Sequence, residues 1–329
     1  MKLGVIGSGS WGTALAKVFA DNGNQIHWYL RDQEVRDHIL LNHTHPKYLQ
    51  QVRLPVQQFE LETNLYQLVQ ESQMILLAVP SAFLESVLSP LPDDCFHQKQ
   101  VISAIKGLEY QNGTLISGFL KKRFQITEQQ FAVIAGPGHA EEVATGNPTF
   151  LTIASENIGF AKELQILLQN EYLQVDVNTD VTGVEWSSVL KNIYAILVGM
   201  AQGLGYKDNF TSILVSACLR EMDAILKFVC PADRNILENV YLGDLLVTAY
   251  SLHSRNRRLG FLVGSGVPLL EVFETMQMVA EGYYAVETAH KLVHQNIHQF
   301  PLLDAVQKVL YQNQSAEVEI RQIVQHHLC

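Results

Sequence analysis

The chain has 329 residues, 47% of them hydrophobic and 17% charged, with a formal net charge of -10. That is enough apolar material for two domains and excludes long disordered segments, while the acidic balance excludes nonspecific nucleic-acid binding but leaves room for a local basic patch holding a small anion. Four scattered cysteines (Cys95, Cys218, Cys230 and Cys329) without C-x-x-C spacing suit a reducing compartment and exclude a thiolate metal site or a disulfide framework.

In chain order, residues 3–6 form a short apolar run that reads as a buried strand. It leads into Gly7-Ser8-Gly9-Ser10-Trp11-Gly12, the spacing G-x-G-x-x-G. Residues 13–22 follow with Leu15, Val18 and Phe19 at helical spacing. Glycines between strand and helix are those of a dinucleotide-binding turn. Gly7 permits the tight turn, Gly9 leaves room for a pyrophosphate, and Gly12 lets helix and strand pack closely. The helix N-terminus then offers N–H groups and partial positive charge to the phosphates.

Further strands are predicted at residues 25–30, 74–79, 100–105 and 131–135, with 149–154 and 174–177 as extensions. Helical or irregular stretches separate them, so the first half reads as an α/β, Rossmann-type doubly wound parallel sheet. Beyond residue 180 the pattern becomes helical. Thr182 and Glu185 have the spacing of a capping box opening a helix to about residue 203. Helical periodicity then covers 211–229, 236–248, 269–275, 278–294 and the tail. The expected organisation is a dinucleotide-binding domain over 1–180 and an all-α substrate-binding and catalytic domain over 181–329, with the cleft between them as the default site. No apolar run reaches the roughly 18 residues of a membrane span, and a strand at the N-terminus leaves no room for a signal peptide. A cytoplasmic protein is expected.

In open α/β sheets, ligands bind beyond the carboxyl ends of the strands. After the second strand stand Arg31 and Asp32. The aspartate suits the ribose hydroxyls of NAD and the arginine the 2′-phosphate of NADP. With arginine first, the reading leans to NADP, and a solvated strand-end pair is the bland alternative. After the fourth strand comes Lys106, an ammonium aimed at the crevice. After the fifth comes Gly136-Pro137-Gly138-His139-Ala140, a turn that suits close approach by a ligand or is merely tight. Lys191-Asn192 lies in an otherwise apolar helical run. There the lysine either snorkels to solvent or is partly buried, with its pKa lowered toward that of a general acid. Asn192 would hold a substrate oxygen or fix the lysine. Ser254-Arg255-Asn256-Arg257-Arg258 is an isolated basic cluster, either a solvated loop or a phosphate clamp. Asp244 and, one turn later, Thr248 would face the same cleft. His290, His294 and His298 recur at four-residue spacing but have no accompanying carboxylates, so they read as an exposed face. His43 and His45 read as loop residues, and no metal is expected.

The segments GSGSWGTALA (7–16), AIKGLE (104–109), AGPGHAEEVA (135–144), LKN (190–192), LGDLLVT (242–248), HSRNRRLG (253–260) and VAEGYYA (279–285) together resemble the soluble NAD(P)-dependent glycerol-3-phosphate dehydrogenases from end to end. The resemblance implies reduction of dihydroxyacetone phosphate to sn-glycerol 3-phosphate, the backbone precursor of phospholipids, by a homodimer. It implies that Lys191 is the catalytic proton donor and acceptor and that Lys106 contacts substrate and cofactor. Asp244, Ser254, Arg255 and Asn256 would line the substrate site, Arg255 also reaching the cofactor. Ser10, Trp11, Arg31, Ala140, Val279 and Glu281 fall at the family's cofactor contacts. The chain departs from the family pattern at Gly138, where a hydroxyl residue is usual, and in 206–222, which keeps Asp208-Asn209 and Glu221-Met222 but lacks the arginine–glycine pair expected between them.

Two other readings compete. A β-hydroxyacid dehydrogenase also pairs a dinucleotide fold with a helical domain and a catalytic lysine–asparagine neighbourhood, but has little need of the SRNRR cluster. A non-catalytic NAD(P) sensor needs neither Lys106 nor Lys191.

Overall fold

The computed structural model describes residues 2–109, 113–276 and 280–326. The chain folds as two compact units, Met1–Val184 and Glu185–Cys329.

The first unit is built on eight strands, β1 (Leu3–Ile6), β2 (Ile26–Tyr29), β3 (Phe59–Glu62), β4 (Met74–Leu77), β5 (Gln100–Ser103), β6 (Phe131–Ala135), β7 (Thr149–Ala154) and β8 (Leu173–Asn178). They form one sheet in the order β3-β2-β1-β4-β5-β6-β7-β8. Every pairing is parallel except β6 with β7. The helices between them are α1 (Ser10–Asp21), α2 (Gln33–Asn42), α3 (Leu65–Glu71), α4 (Leu84–Leu88), α5 (Ile116–Phe124), α6 (Ala140–Ala144) and α7 (Ile158–Leu168). Central strands such as β4 (Met-Ile-Leu-Leu) are buried along their whole length, as two covered faces require. The strand order reverses at β1, so the turn after β1 opens at the topological switch point where such sheets bind ligands.

Two features differ from the sequence reading. The edge strand β3 was not predicted, because Phe-Glu-Leu-Glu is short and carries charge on its exposed side. The sheet is also not wholly parallel, since β7 returns antiparallel on β6.

The helices that follow are α8 (Val181–Gly203), α9 (Asp208–Val229), α10 (Asp244–Tyr250), α11 (Arg255–Gly264), α12 (Leu269–Thr275), α13 (Glu281–Val293), α14 (Pro301–Tyr311) and α15 (Ala316–His326). The cap of α8 is Asp180, whose Oδ1 accepts from Gly183 N at 3.1 Å, so Thr182 and Glu185 lie inside the helix rather than forming its capping box. No helix was expected at α11, where the basic cluster read as either a solvated loop or a phosphate clamp. The segment is a helix capped by Ser254, whose Oγ accepts from Arg257 N.

Within the second unit, α8 and α11 cross through glycines. A Cβ at Gly260 would sit 1.9 Å from Ile196 O, and one at Gly264 would sit 2.1 Å from Met200 O. From the other helix, a Cβ at Gly199 would sit 2.1 Å from Arg257 O, and one at Gly203 would sit 2.2 Å from Phe261 O. No side chain fits between these two backbones.

Candidate active site

In the first unit the glycine turn is fixed by contact. Gly7 has φ +134°, and a Cβ there would lie 2.4 Å from Ala78 O. A Cβ at Gly12 would lie 2.4 Å from Gly7 O. Gly9 differs, because nothing lies within 4 Å of the place its Cβ would take. Gly9 is the N-cap of α1, and the first turn of that helix carries no acidic residue. The open space therefore faces backbone N–H groups and the positive end of a helix dipole, a seat that fits a pyrophosphate.

Beside it, Trp11 buries its indole Nε1 with no hydrogen-bond partner among the described residues. Lys106 Nζ stands 4.7 Å over the Trp11 ring and donates to Gly138 O at 3.4 Å, so Lys106, Trp11 and Gly138 are brought together. Gly136 has φ +117°, a conformation that disfavours a side chain. At Gly138 a Cβ would lie 3.1 Å from Leu151 Cδ2 and 3.4 Å from the Trp11 ring, so the glycine suits the crowding of its neighbours. Ala140 is the first residue of α6.

Arg31 is exposed just beyond β2. Asp32 is the N-cap of α2, accepting from Glu34 N at 3.0 Å, and its carboxylate lies 3.7 Å from Lys47 Nζ. Val279 lies outside the described residues. Glu281 opens α13.

In the second unit, Lys191 does not snorkel to solvent. Its side chain is 3% exposed and ion-paired with Asp244 Oδ1, itself 2% exposed. Asp244 opens α10 directly after a π-helical turn, Asn239–Gly243. Thr248 Oγ1 donates to the Asp244 carbonyl at 2.6 Å. On the next residue of α8, Asn192 Oδ1 accepts from Asn256 Nδ2 at 2.9 Å. Asn256 Oδ1 in turn accepts from Gly282 N at 2.9 Å. A Cβ at Gly282 would lie 2.7 Å from Asn192 O, which accounts for that glycine in the 279–285 segment. Ser254 is buried and Arg255 and Arg258 are exposed on the first turn of α11. Arg257 turns away to donate from Nε to Gln202 Oε1 at 2.7 Å. A buried lysine–aspartate pair, a carboxamide relay and a basic helix N-terminus thus occupy one unit.

Several supporting residues escaped the sequence reading. Trp28 Nε1 donates to Gly7 O at 3.0 Å, buttressing the turn from β2. His45 is in a loop, as expected, but buried at 2% exposure. Its Nδ1 accepts from Lys47 N and Tyr48 N, both at 3.1 Å, and the ring lies against the Ser8 backbone. Burial, with Lys47 nearby, pushes its pKa down to about 4. The only sequence signal for it is its place among the prolines and turns after α2.

In the 206–222 segment, Glu221 is buried and accepts from Tyr194 Oη at 3.0 Å and from Leu302 N and Leu303 N, both at 2.8 Å. It therefore joins α8, α9 and the start of α14. Burial pushes its pKa up to about 7 against the pull of these donors. Of the discounted histidines, His290 is partly buried and faces Asp304 Oδ1 at 3.1 Å.

Comparison with known proteins agrees across both units. Residues 2–161 match the family model described as NAD-dependent glycerol-3-phosphate dehydrogenase N-terminus, and residues 180–321 match its C-terminus. A glycerol-3-phosphate dehydrogenase [NAD(P)+] from Exiguobacterium sp. is 36% identical over 323 residues, covering 97% of this chain and 94% of the relative. One from Clostridium botulinum is 33% identical, covering 98% and 97%. Among solved structures, glycerol-3-phosphate dehydrogenase from Coxiella burnetii superposes with a TM-score of 0.89 at 28% identity, covering 99% of each chain.

Proposed function

The chain belongs to the NAD-dependent glycerol-3-phosphate dehydrogenase family, and on that footing we propose that it reduces dihydroxyacetone phosphate to sn-glycerol 3-phosphate with NAD(P)H, reversibly, supplying glycerophospholipid synthesis. One observation carries this reading. Lys191, which the family resemblance makes the proton donor, is buried and ion-paired with Asp244, beside the Asn192–Asn256 relay.

When bound, the reduced nicotinamide supplies the hydride. The glycine turn and the first turn of α1 would hold the pyrophosphate, and Lys106 and Trp11 border the seat. As the ketone carbon is reduced, its oxygen gains charge. The Lys191 ammonium stabilises that charge and then transfers a proton to the oxygen, becoming a neutral amine. Asp244 fixes the lysine's position and stabilises its charged form before the transfer. Asn192 and Asn256, each orienting the other, hold the polar end of the substrate. Arg255 and the N-terminus of α11 grip the phosphate, whose binding energy orients the carbonyl. Ser254 and Thr248 of the second unit, and Gly136 and Gly138 of the first, are the remaining candidate substrate residues. Ser10, Arg31, Ala140 and Glu281 are the remaining candidate cofactor residues.

Arg31 supports a preference for NADP. It is exposed beyond β2, whereas its rival Asp32 is engaged as the cap of α2. The functional division follows the sequence, with the dinucleotide on residues 1–180 and substrate chemistry on 181–329. A homodimer is proposed on the apolar side chains that the second unit exposes, Leu246, Leu252, Phe261 and Leu270 among them. No helix among the described residues is long and apolar enough to cross a membrane.

The test compares dihydroxyacetone phosphate with unphosphorylated dihydroxyacetone as oxidants of NADPH and NADH, followed by loss of the reduced-nicotinamide absorbance. Fast turnover with the phosphorylated ketone alone is expected. Equal rates with both ketones would remove the phosphate clamp, and no turnover with either would favour the β-hydroxyacid dehydrogenase or sensor readings.

A further inference from the structure

The far end of the first unit's sheet carries a cluster that the dehydrogenase chemistry does not use. His27 lies on β2, paired in register with Gly4 of β1 and Glu60 of β3, and paired residues of parallel strands share a face. A Cβ at Gly4 would lie 2.6 Å from Ser72 Oγ and 2.9 Å from Leu68 Cδ2, so α3 and the residue after it cover this face. Glu71 is the last residue of α3. One ring nitrogen of His27 and one carboxylate oxygen from each of Glu60 and Glu71 lie within 4.8 Å of one another.

Two observations make this more than a pair of surface acids. The His27 side chain is fully buried, and neither ring nitrogen has a hydrogen-bond partner among the described residues. An imidazole desolvated in this way normally spends its N–H and its lone pair on partners. The carboxylates, moreover, already converge on one positive charge. Lys2 Nζ lies 2.8 Å from Glu60 Oε2 and 2.8 Å from Glu71 Oε2. Lys2 stands near the chain start on a flexible stem, and its side chain is 31% exposed.

We propose that His27, Glu60 and Glu71 form a binding site for a first-row divalent cation, with zinc the best match, at the amino-terminal edge of the sheet and separate from the dinucleotide turn. One imidazole nitrogen and two carboxylate oxygens are a donor set suited to such ions. Metal–ligand distances of about 2.0–2.2 Å are reached by rotating the exposed glutamates inward. The ion takes the place of the Lys2 ammonium, which swings to solvent. The site is accessory to the reaction, and its existence does not depend on the dehydrogenase reading.

The experiment is calorimetric titration of zinc into the chelator-treated, full-length protein in a non-coordinating buffer. Cobalt(II) serves as an absorbing probe of the same site. The wild type should take up a single ion per chain, E60Q/E71Q should lose that binding, and K2M should bind more tightly because the competing ammonium is gone. H27Q should lose binding too. Because His27 is buried and its variant risks misfolding, the exposed glutamate pair carries the decision. Zinc uptake unchanged in E60Q/E71Q would place the metal elsewhere, on His290, His294 and His298 for instance, and overturn the proposal. Absence of uptake by both wild type and K2M would overturn it as well.

Discussion

Asn192 and Asn256 share a 2.9 Å hydrogen bond because the helices that carry them cross with no side chain between. A Cβ at Gly260, four residues beyond Asn256, would fall 1.9 Å from Ile196 O, four residues beyond Asn192. The neighbour is backbone and cannot rotate aside. Gly260→Ala should therefore push α8 and α11 apart and cost about 3 kcal/mol or more, the upper range for overpacking, although alanine is the better helix former. Thermal unfolding checks the stability. A raised KM for dihydroxyacetone phosphate, measured on the folded fraction, checks that the relay has been pulled open. A variant as stable as the wild type would mean that the helices tolerate separation.

The Lys191–Asp244 pair leads to a second expectation. Lys191→Ala removes the proton donor and should lower kcat by roughly 10²–10⁴, the usual worth of a positioned acid, while cofactor titrated by fluorescence still binds. Asp244→Asn keeps the shape but leaves the buried ammonium without its counter-charge. It should also lower kcat, and it should destabilise the fold by about 3–5 kcal/mol, as breaking a buried ion pair does. Retained activity in Lys191→Ala would remove the lysine from the chemistry.

These pairs also show what the sequence could disclose. The glycine turn was legible because each of its parts lies within a dozen residues and each glycine answers to a local constraint. Lys191 stood out as a charge in an apolar helix, although nothing local could decide between snorkelling and burial. Asp244, the partner that decides it, lies more than fifty residues away. Gly199, Gly203, Gly260 and Gly264 carried no message singly, since their meaning is a contact between two helices. The basic cluster at 255–258 concealed α11 because charge outweighed periodicity. β3 was missed because it is a four-residue edge strand with a glutamate at every second position. In each case the missing information was tertiary.

Cofactor choice can be tested at the end of β2. Arg31→Ala should raise the KM for NADPH roughly tenfold, about the worth of one charge-assisted hydrogen bond, and leave that for NADH nearly unchanged. Asp32→Ala should leave the NADPH-to-NADH ratio alone and lower stability by about 1 kcal/mol through loss of the α2 cap. Steady-state kinetics with both cofactors, alongside thermal unfolding, separates the two effects. A ratio that moves with Asp32 instead would return the ribose contact to the aspartate and favour NAD.

His45 gives the glycine turn a pH dependence whose sign follows from its environment. Nδ1 accepts two backbone N–H groups, so the ring proton sits on Nε2, and a second proton would displace both donors. Burial, aided by Lys47, holds the folded-state pKa near 4, against an ordinary value of 6.5. The unfolded chain therefore takes up the proton first as pH falls. The stabilisation is fully present above about pH 6.5 and is lost progressively toward pH 4, amounting to about 3 kcal/mol across the window. His45→Gln has no proton to gain, so its unfolding temperature should fall less steeply over that interval than the wild type's. Since the ring lies against the Ser8 backbone and stays neutral in the folded protein down to about pH 4, NADPH affinity of the folded protein should hold across that interval and weaken only as the pH approaches 4. Parallel pH profiles for the two proteins would mean that other groups carry the acid sensitivity and that His45 is not coupled to the turn.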